Sequence, residues 1–417
     1  MAFSPTIAVI GLGYVGLPLA VGLAKSFPVI GFDINAKRVA ELKAGHDRTQ
    51  EISGDRLKAS SLVVTADVAA IQAKDIYIVT VPTPVGPDNL PDLGAVRAAS
   101  RTVAKAMRQG AIVVYESTVY PGVTEDICGP ILEAESGLKR GVDFFLGYSP
   151  ERINPGDTVH TVDKITKVVS AENAEVGDKL LTIYGAVNGG NVFLARDIRT
   201  AEAAKVIENA QRDINIAFMN EIAAIFGKMG LSVYDVLDAA GTKWNFLPFT
   251  PGFVGGHCIG VDPYYLAHAA QAIGVEPHVI LAGRRINDAM APETADRIAD
   301  LLAGPSRVLV LGVTFKENVP DIRNSKVFDL IGQLRSRGHE VAAFDPAADP
   351  EETAHEYGET LLAEPGTGWD AVVLAVPHAD FAALELSGLL KQGGLVADVK
   401  GLLRKAERPS GLRYWTL

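Results

Sequence analysis

Two doubly wound, Rossmann-like α/β domains joined by a central all-α segment are the fold this 417-residue sequence predicts. Apolar strand-like runs alternate with helical runs over the first 200 residues, and the same alternation returns after Gly304-Pro305. Between them, apolar residues recur only at helical spacing. The chain is also too long for one core, and boundaries are expected at 1–199, 200–303 and 304–417.

Thr6-Ile-Ala-Val-Ile10 reads as a buried parallel strand running into Gly11-Leu-Gly-Tyr-Val-Gly16. An apolar helical run from Leu17 to Ala24 follows, then a strand, Val29-Ile-Gly-Phe32, ending in Asp33. Strand, glycine turn, helix, strand and acid together are a dinucleotide fingerprint. Gly11 makes the tight turn, Gly13 lets a pyrophosphate approach the backbone, and Gly16 lets helix and strand pack closely, with Tyr14 and Val15 in the same turn. The helix N-terminus offers phosphates free N–H groups and a partial positive charge. Asp33, 20 residues beyond Gly13, stands where a carboxylate accepts a ribose 2′-hydroxyl and repels a 2′-phosphate, which favours NAD over NADP. Lys37 and Arg38 on the next helix either flank the adenine ribose or are solvated.

Further strands are read at 62–65, 75–81, 111–118 and 144–148. Ligands of open α/β sheets bind beyond the carboxyl ends of strands, which puts Thr83, Thr118 and Glu151 on the cofactor's side. Each threonine is otherwise a turn or cap residue. From Thr200 to about Gly230, Ala201, Ala204, Ile207, Ile214, Phe218, Ile222 and Ile225 define one long helix, expected to join two domains and offer a dimer surface. Lys205 and Asn209 share one of its faces; the plain alternative for Lys205 is a surface ion pair with Glu202 or Glu208. Helices follow at 233–240, 264–274, 277–288 and 292–302, then strands at 307–312, 340–344, 371–376 and 395–398. The first turn of this last domain, Val313 to Arg323, lacks the glycine triad, so a ligand other than a dinucleotide is expected. Lys316 and Arg323 suit a phosphorylated one.

A hydrophobic fraction of 48% with 21% charged residues is an ordinary globular composition. The net charge of −11 disfavours nucleic acid and membrane surfaces as partners, while leaving room for a small anionic substrate where basic residues converge. Two cysteines give no disulfide framework, and a thiol that must stay reduced fits a cytoplasmic location. Neither a signal peptide nor a membrane span is expected. No Cys/His/Asp cluster has zinc spacing, so metal-free chemistry is expected.

In Pro251-Gly-Phe-Val-Gly-Gly-His-Cys-Ile-Gly-Val-Asp-Pro-Tyr-Tyr265, Cys258 follows Gly255 and Gly256 and precedes Asp262 by four residues. Without Cβ atoms in the way, a substrate could approach the thiol closely, which suggests a nucleophile. The alternative is a small buried hydrophobe. His257, adjacent in an extended loop, should point away from Cys258 and is not expected to act in catalysis.

Gly11–Gly16 with Asp33, Thr83 in Val-Pro-Thr-Pro, Ser117-Thr118, Ser149-Pro-Glu151, Lys205 with Asn209, the Cys258 loop and Phe315-Lys316 together resemble the UDP-glucose/GDP-mannose dehydrogenase family over essentially the whole chain. The Cys258 loop, Ser149-Pro-Glu-Arg-Ile-Asn-Pro-Gly156 and Gly241-Thr-Lys-Trp-Asn-Phe246 are similar to its UDP-N-acetylhexosamine branch, UDP-N-acetylglucosamine 6-dehydrogenation included. The second acid carried by the UDP-glucose branch is replaced here by Pro155.

The resemblance implies a four-electron, NAD-dependent oxidation of a primary alcohol at C6 to a carboxylate, in a surface-polysaccharide pathway. Cys258 would trap the aldehyde as a thiohemiacetal that is oxidised to a thioester and hydrolysed. Lys205 and Asn209 would hold the thiolate or oxyanion, and Asp262 and Glu151 would share proton transfers in a division left open, with Thr118 beside them. Arg38, Thr83, Thr118 and Arg323 would join the glycine turn and Asp33 around NAD. Glu151, Arg152, Lys205, Asn209, Phe253, Gly255, Gly256, Arg284, Phe315 and Lys316 would contact the UDP-sugar. One arginine near Arg284-Arg285 would come from a neighbouring subunit, making a homodimer part of the site. Rival readings are a UDP-GalNAc, UDP-ManNAc or UDP-glucose dehydrogenase, a single-oxidation dehydrogenase of the 6-phosphogluconate or hydroxyacid type, and a non-catalytic NAD-sensing regulator.

Overall fold

The computed structural model describes residues 4–152, 161, 163–405 and 411–417, so Pro155 lies outside the described residues. The chain divides into two compact units, Met1–Glu208 with Tyr264–Val275, and Asn209–Pro263 with Glu276–Leu417.

The first unit carries an eight-stranded sheet: β1 (Ile7–Ile10), β2 (Val29–Phe32), β3 (Val63–Thr65), β4 (Ile76–Val79), β5 (Ala111–Tyr115), β6 (Phe144–Tyr148), β7 (Lys167–Ala171) and β8 (Val192–Leu194). Its order is β3-β2-β1-β4-β5-β6-β7-β8. Every pairing is parallel except β6 with β7. All four residues of β1 and of β4 are buried, as a strand covered on both faces requires. The order reverses between β1 and β4, the switch point at which doubly wound sheets open a ligand crevice. β7, β8 and the helix Ala174–Asn188 were not resolved by the sequence reading. That helix starts at an Asn173 cap, whose Oδ1 accepts the Val176 N–H at 2.9 Å.

In the second unit β9 (Arg307–Leu311), β10 (Glu340–Phe344), β11 (Trp369–Leu374), β12 (Leu390–Asp398) and β13 (Arg413–Thr416) form an all-parallel sheet of order β10-β9-β11-β12-β13. Val308, Val310, Val373 and Ala397 share its core with Ala295 and Ile298 of the helix His278–Leu301. The sequence predicted two helices there, broken before Pro292. One continuous helix forms instead, because proline removes a single helical hydrogen bond while Met290, Ala291, Thr294, Ala295 and Ile298 remain buried along the same stretch. The long helix is Ile198–Lys228, and the division between the units falls within it. Among the described residues, no helix is long and apolar enough to cross a membrane.

Candidate active site

The turn after β1 is set by close approaches. Gly11 has φ +97°, and the Thr80 hydroxyl at the end of β4 donates to its carbonyl at 2.8 Å. A Cβ at Gly16 would overlap the Gly11 carbonyl and the Thr80 hydroxyl, whereas a Cβ at Gly13 would meet nothing within 4 Å. Gly16 is therefore glycine for packing, and Gly13 faces open space beside the helix Gly16–Leu23, with Tyr14 and Val15 half-buried between them. Asp33 Oδ2 accepts the Leu12 N–H at 2.9 Å and Oδ1 the Asn35 N–H at 2.8 Å, which orients the carboxylate toward the turn. Arg38 is not solvated. It is 5% exposed, its Nε donates to the Leu12 carbonyl at 2.9 Å, and its Nη2 pairs with Asp47 at 2.7 Å. Its Nη1 is buried with no hydrogen-bond partner among the described residues. The room at Gly13, an oriented carboxylate and an orphaned buried donor all fit a bound dinucleotide.

Thr83 and Thr118 are half-buried past the ends of β4 and β5, and the Ser117 hydroxyl links their loops by donating to the Val81 carbonyl at 2.6 Å. Glu151 follows β6 with its side chain 12% exposed, 3.6 Å from the Lys167 ammonium. Arg152 pairs with Glu208 at 2.9 Å. Lys205 is 6% exposed and therefore no surface ion pair, while Glu202 accepts the Gly122 and Thr124 N–H groups at 2.6 and 2.9 Å. Burial pushes the Glu202 carboxyl up to about 7 against those two bonds. Asn209, one turn beyond Lys205, is also buried.

In the second unit, Cys258 is half-buried and in no disulfide. Its carbonyl accepts the N–H groups of Val261 and Asp262 at 3.0 and 2.8 Å, closing the turn into the helix Asp262–Ala272. Asp262 is 1% exposed, and its Oδ2 accepts from Asn209 Nδ2 at 2.5 Å. The glycines before Cys258 serve a purpose the sequence did not reveal. A Cβ on Gly255 would lie 2.6 Å from the Asn324 carbonyl, and one on Gly256, at φ +79°, would lie 2.8 Å from the Phe315 ring. They let the loop pack against the Phe315–Asn324 segment. His257 Nδ1 lies 3.1 Å from Arg323 Nη2. Arg323 is also bound to the Asp321 carboxylate at 2.6 Å.

At the start of the loop, Asn220 clamps Gly252 by accepting its N–H at 2.8 Å and donating to its carbonyl at 3.1 Å. Asn220 also donates to Asn287 at 2.8 Å, and Asn287 donates to Asp213 at 2.7 Å. Arg284 is 2% exposed and belongs to this ladder, donating to Asp213 and Asp288 at 2.6 Å each. The Lys400 side chain lies where a Gly252 Cβ would be, 2.6 Å from its Nζ, and burial pulls the ammonium down while Glu317 opposes it. Lys400 escaped the sequence reading because it follows a strand 148 positions from Gly252. Phe253, Phe315 and Lys316 are half-buried in the same unit. Among the described residues no cluster could hold a metal ion.

Three segments match the UDP-glucose/GDP-mannose dehydrogenase family: residues 5–188 its NAD binding domain, 199–289 its central domain and 309–405 its UDP binding domain. Protein CapL of Staphylococcus aureus is 49% identical over 99% of both chains. The UDP-N-acetyl-D-glucosamine 6-dehydrogenase of Pseudomonas aeruginosa is 48% identical over 95% of this chain and 97% of its own. Among solved structures, a UDP-D-ManNAc dehydrogenase from Pyrococcus horikoshii aligns with a TM-score of 0.88 at 30% identity, over 99% of this chain and 98% of that one.

Proposed function

The chain belongs to the UDP-glucose/GDP-mannose dehydrogenase family and binds NAD, and we propose that it oxidises C6 of UDP-N-acetylglucosamine to the uronic acid in two steps. The observation that carries the substrate is the full-length 48% identity to an enzyme of that name. A UDP-N-acetylmannosamine reading has the TM-score of 0.88 in its favour, but at 30% identity the likeness reaches the fold and family rather than the sugar.

NAD, when bound, supplies the acceptor for each hydride. Cys258 is assigned the nucleophile: its thiolate adds to the C6 aldehyde, the thiohemiacetal loses the second hydride to become a thioester, and water cleaves that ester to the acid and the free thiol. Lys205 carries the charge that offsets the oxyanion. Asn209 has one amide hydrogen committed to Asp262, which leaves the other for the substrate. Asp262 and Glu151 are the candidate bases for the alcohol and the attacking water. Phe315, Lys316 and Arg323 lie in the segment matched to the UDP binding domain and are assigned to the nucleotide.

A homodimer is part of the proposal. Ile207, Phe218 and Ile225 lie along one face of the long helix and are 54%, 54% and 48% exposed. Phe218→Glu should shift the mass in solution to the monomer, and an unchanged mass would exclude this face. Activity is tested with a panel of UDP-sugars followed at 340 nm. UDP-N-acetylglucosamine should yield two NADH per sugar, and UDP-glucose should be poorer by roughly 30- to 200-fold in kcat/KM, the worth of one methyl and one hydrogen bond. Equal turnover of UDP-glucose would reject the branch, and full acid production by Cys258→Ser would reject the covalent route.

A further inference from the structure

A chain of buried charge runs from the core of the first unit to Glu151. Glu116, just past β5, is 1% exposed and accepts the Tyr184 hydroxyl on one oxygen at 2.5 Å and the Lys167 ammonium on the other at 2.6 Å. Lys167 opens β7, is 3% exposed, and reaches Glu151 Oε2 at 3.6 Å. A buried ion pair is a weak source of stability compared with apolar residues of similar size, so its retention beside a candidate base calls for another reason.

We propose that Lys167 is a positioning residue, a counter-ion shared by Glu116 and Glu151 that holds the Glu151 carboxylate in place to serve as a base. The inference rests on the role assigned to Glu151 above. Two carboxylates and one ammonium leave this cluster with one net negative charge in a medium that screens poorly. The unequal distances say how the cation is divided: its shorter contact is to Glu116, and only the remainder reaches Glu151. Burial pushes the Glu116 carboxyl up, Lys167 pulls it down and Glu151 pushes it up again. Burial lowers the Lys167 ammonium, but the two carboxylates outweigh that and raise it, so the lysine stays charged. Tyr184, whose phenol burial and Glu116 hold well above its ordinary range, remains a donor to Glu116. Glu51 also acts on this cluster. Burial, Asp47 and Glu151 push its carboxyl up to about 7, so it adds negative charge near Glu151 only as the pH rises through neutrality. Lys167 thus acts on Glu151 in opposition to Glu116 and Glu51.

The two partners of Lys167 should respond with opposite sign, which a purely structural role would not produce. Lys167→Met removes the cation, so the midpoint of Glu151 ionisation should rise by one to three pH units, the usual effect of losing an opposite charge at this range. Glu116→Gln removes the competitor and gives Glu151 a larger share of the ammonium, so the midpoint should fall. Infrared difference titration of each protein against its Glu151→Gln derivative reads the carboxyl band directly, whichever sugar is oxidised. It therefore separates failure of this inference from failure of the substrate assignment. The acid limb of kcat/KM should move in the same two directions, with KM little changed, and Lys167→Arg should restore both readouts. If Lys167→Met does not fold, Glu116→Gln and Lys167→Arg carry the comparison. Midpoints that stay fixed in folded variants, or move in the same direction in Lys167→Met and Glu116→Gln, overturn the proposal.

Discussion

The turns that follow β1 and β9 share a frame and differ in what fills it. Each begins with a glycine of positive φ, Gly11 at +97° and Gly312 at +86°. In each, the next N–H donates to an aspartate that follows a phenylalanine closing the second strand: Leu12 to Asp33 at 2.9 Å, and Val313 to Asp345 at 2.6 Å. They part at the third position. Gly13 faces open space, whereas Thr314 is buried, its hydroxyl donating to the Lys316 carbonyl at 2.9 Å and meeting His378 Nε2 at 3.1 Å. His378 accepts the Asn318 N–H on Nδ1 at 2.9 Å, so its hydrogen is on Nε2, shared between Thr314 and the Asp345 carboxylate at 3.1 Å. Asp345 also accepts from Thr314, Ala347 and Ala348 and is 7% exposed. The strand, turn and acid are thus common scaffolding. The first turn leaves the third position open and its acid with two backbone partners, where the second fills that position and commits its acid to four backbone N–H groups and His378.

The sharpest test exchanges the glycines' roles. Gly312→Ala places a Cβ 2.6 Å from Val376 Cβ and 2.8 Å from the Val376 carbonyl, at a φ that alanine resists. It should destabilise the second unit by roughly 3 kcal/mol. Gly13→Ala meets no atom, so stability should stay within about 0.5 kcal/mol while NAD affinity falls about tenfold or more, since only the ligand occupies that space. Far-UV circular dichroism during urea unfolding reads both units, and the fluorescence of Trp244, Trp369 and Trp415, all in the second unit, isolates the Gly312 effect. Equal stability losses for the two variants would refute the assignment of open space to the ligand.

This contrast also explains what could be read in the sequence. The β1 turn was legible because its chemistry is backbone chemistry, with glycine required at fixed offsets and an acid one strand later. The Cys258 loop was legible as needing glycine, but not why, since Phe315 and Asn324 are brought there only by folding. The Tyr184, Glu116 and Lys167 chain left no signal. Its members are 51 and 68 positions apart, and a lysine at a strand's start reads as solvated until its burial is seen. Pro292 misled because local backbone preference was weighed without the buried side chains that carry the helix through it. In the same way, Asp345 read as nothing in particular, although it is the counterpart of Asp33.

Asp345→Asn gives the next largest effect. Burial would raise this carboxyl, but His378 and the N–H groups of Val313 and Ala347 outweigh it and hold the carboxyl below its usual range. A folded-state pKa below the unfolded value of about 3.9 contributes stability that is fully present above that value and lost as the pH falls through the folded one. The variant should therefore be weaker by about 2 kcal/mol at pH 7, and the deficit should shrink below about pH 4, as the wild type loses what the asparagine never had. Urea midpoints at pH 7 and near pH 3 check this. A deficit that does not vary with pH would mean that geometry rather than charge holds the Val313 turn.

Asp33→Asn completes the comparison with a smaller change in stability and a change in ligand instead. Asp33 accepts two backbone N–H groups on different oxygens, at 2.9 and 2.8 Å, so asparagine can keep only one of them and sets its NH₂ against the other. Two terms then act together: NAD loses an anionic acceptor for its 2′-hydroxyl, and NADP loses a repulsive charge facing its 2′-phosphate. Each is worth roughly 1 kcal/mol at a half-buried site, so the preference for NAD should narrow by about 10- to 30-fold in the ratio of kcat/KM values, with a stability loss of only about 1 kcal/mol. The same substitution at Asp345 should leave that ratio untouched, because its carboxylate is spent on the protein itself. A wild type that already prefers NADP, or an Asp345→Asn variant that shifts cofactor preference as much as Asp33→Asn does, would show that the two acids are not divided between ligand and scaffold.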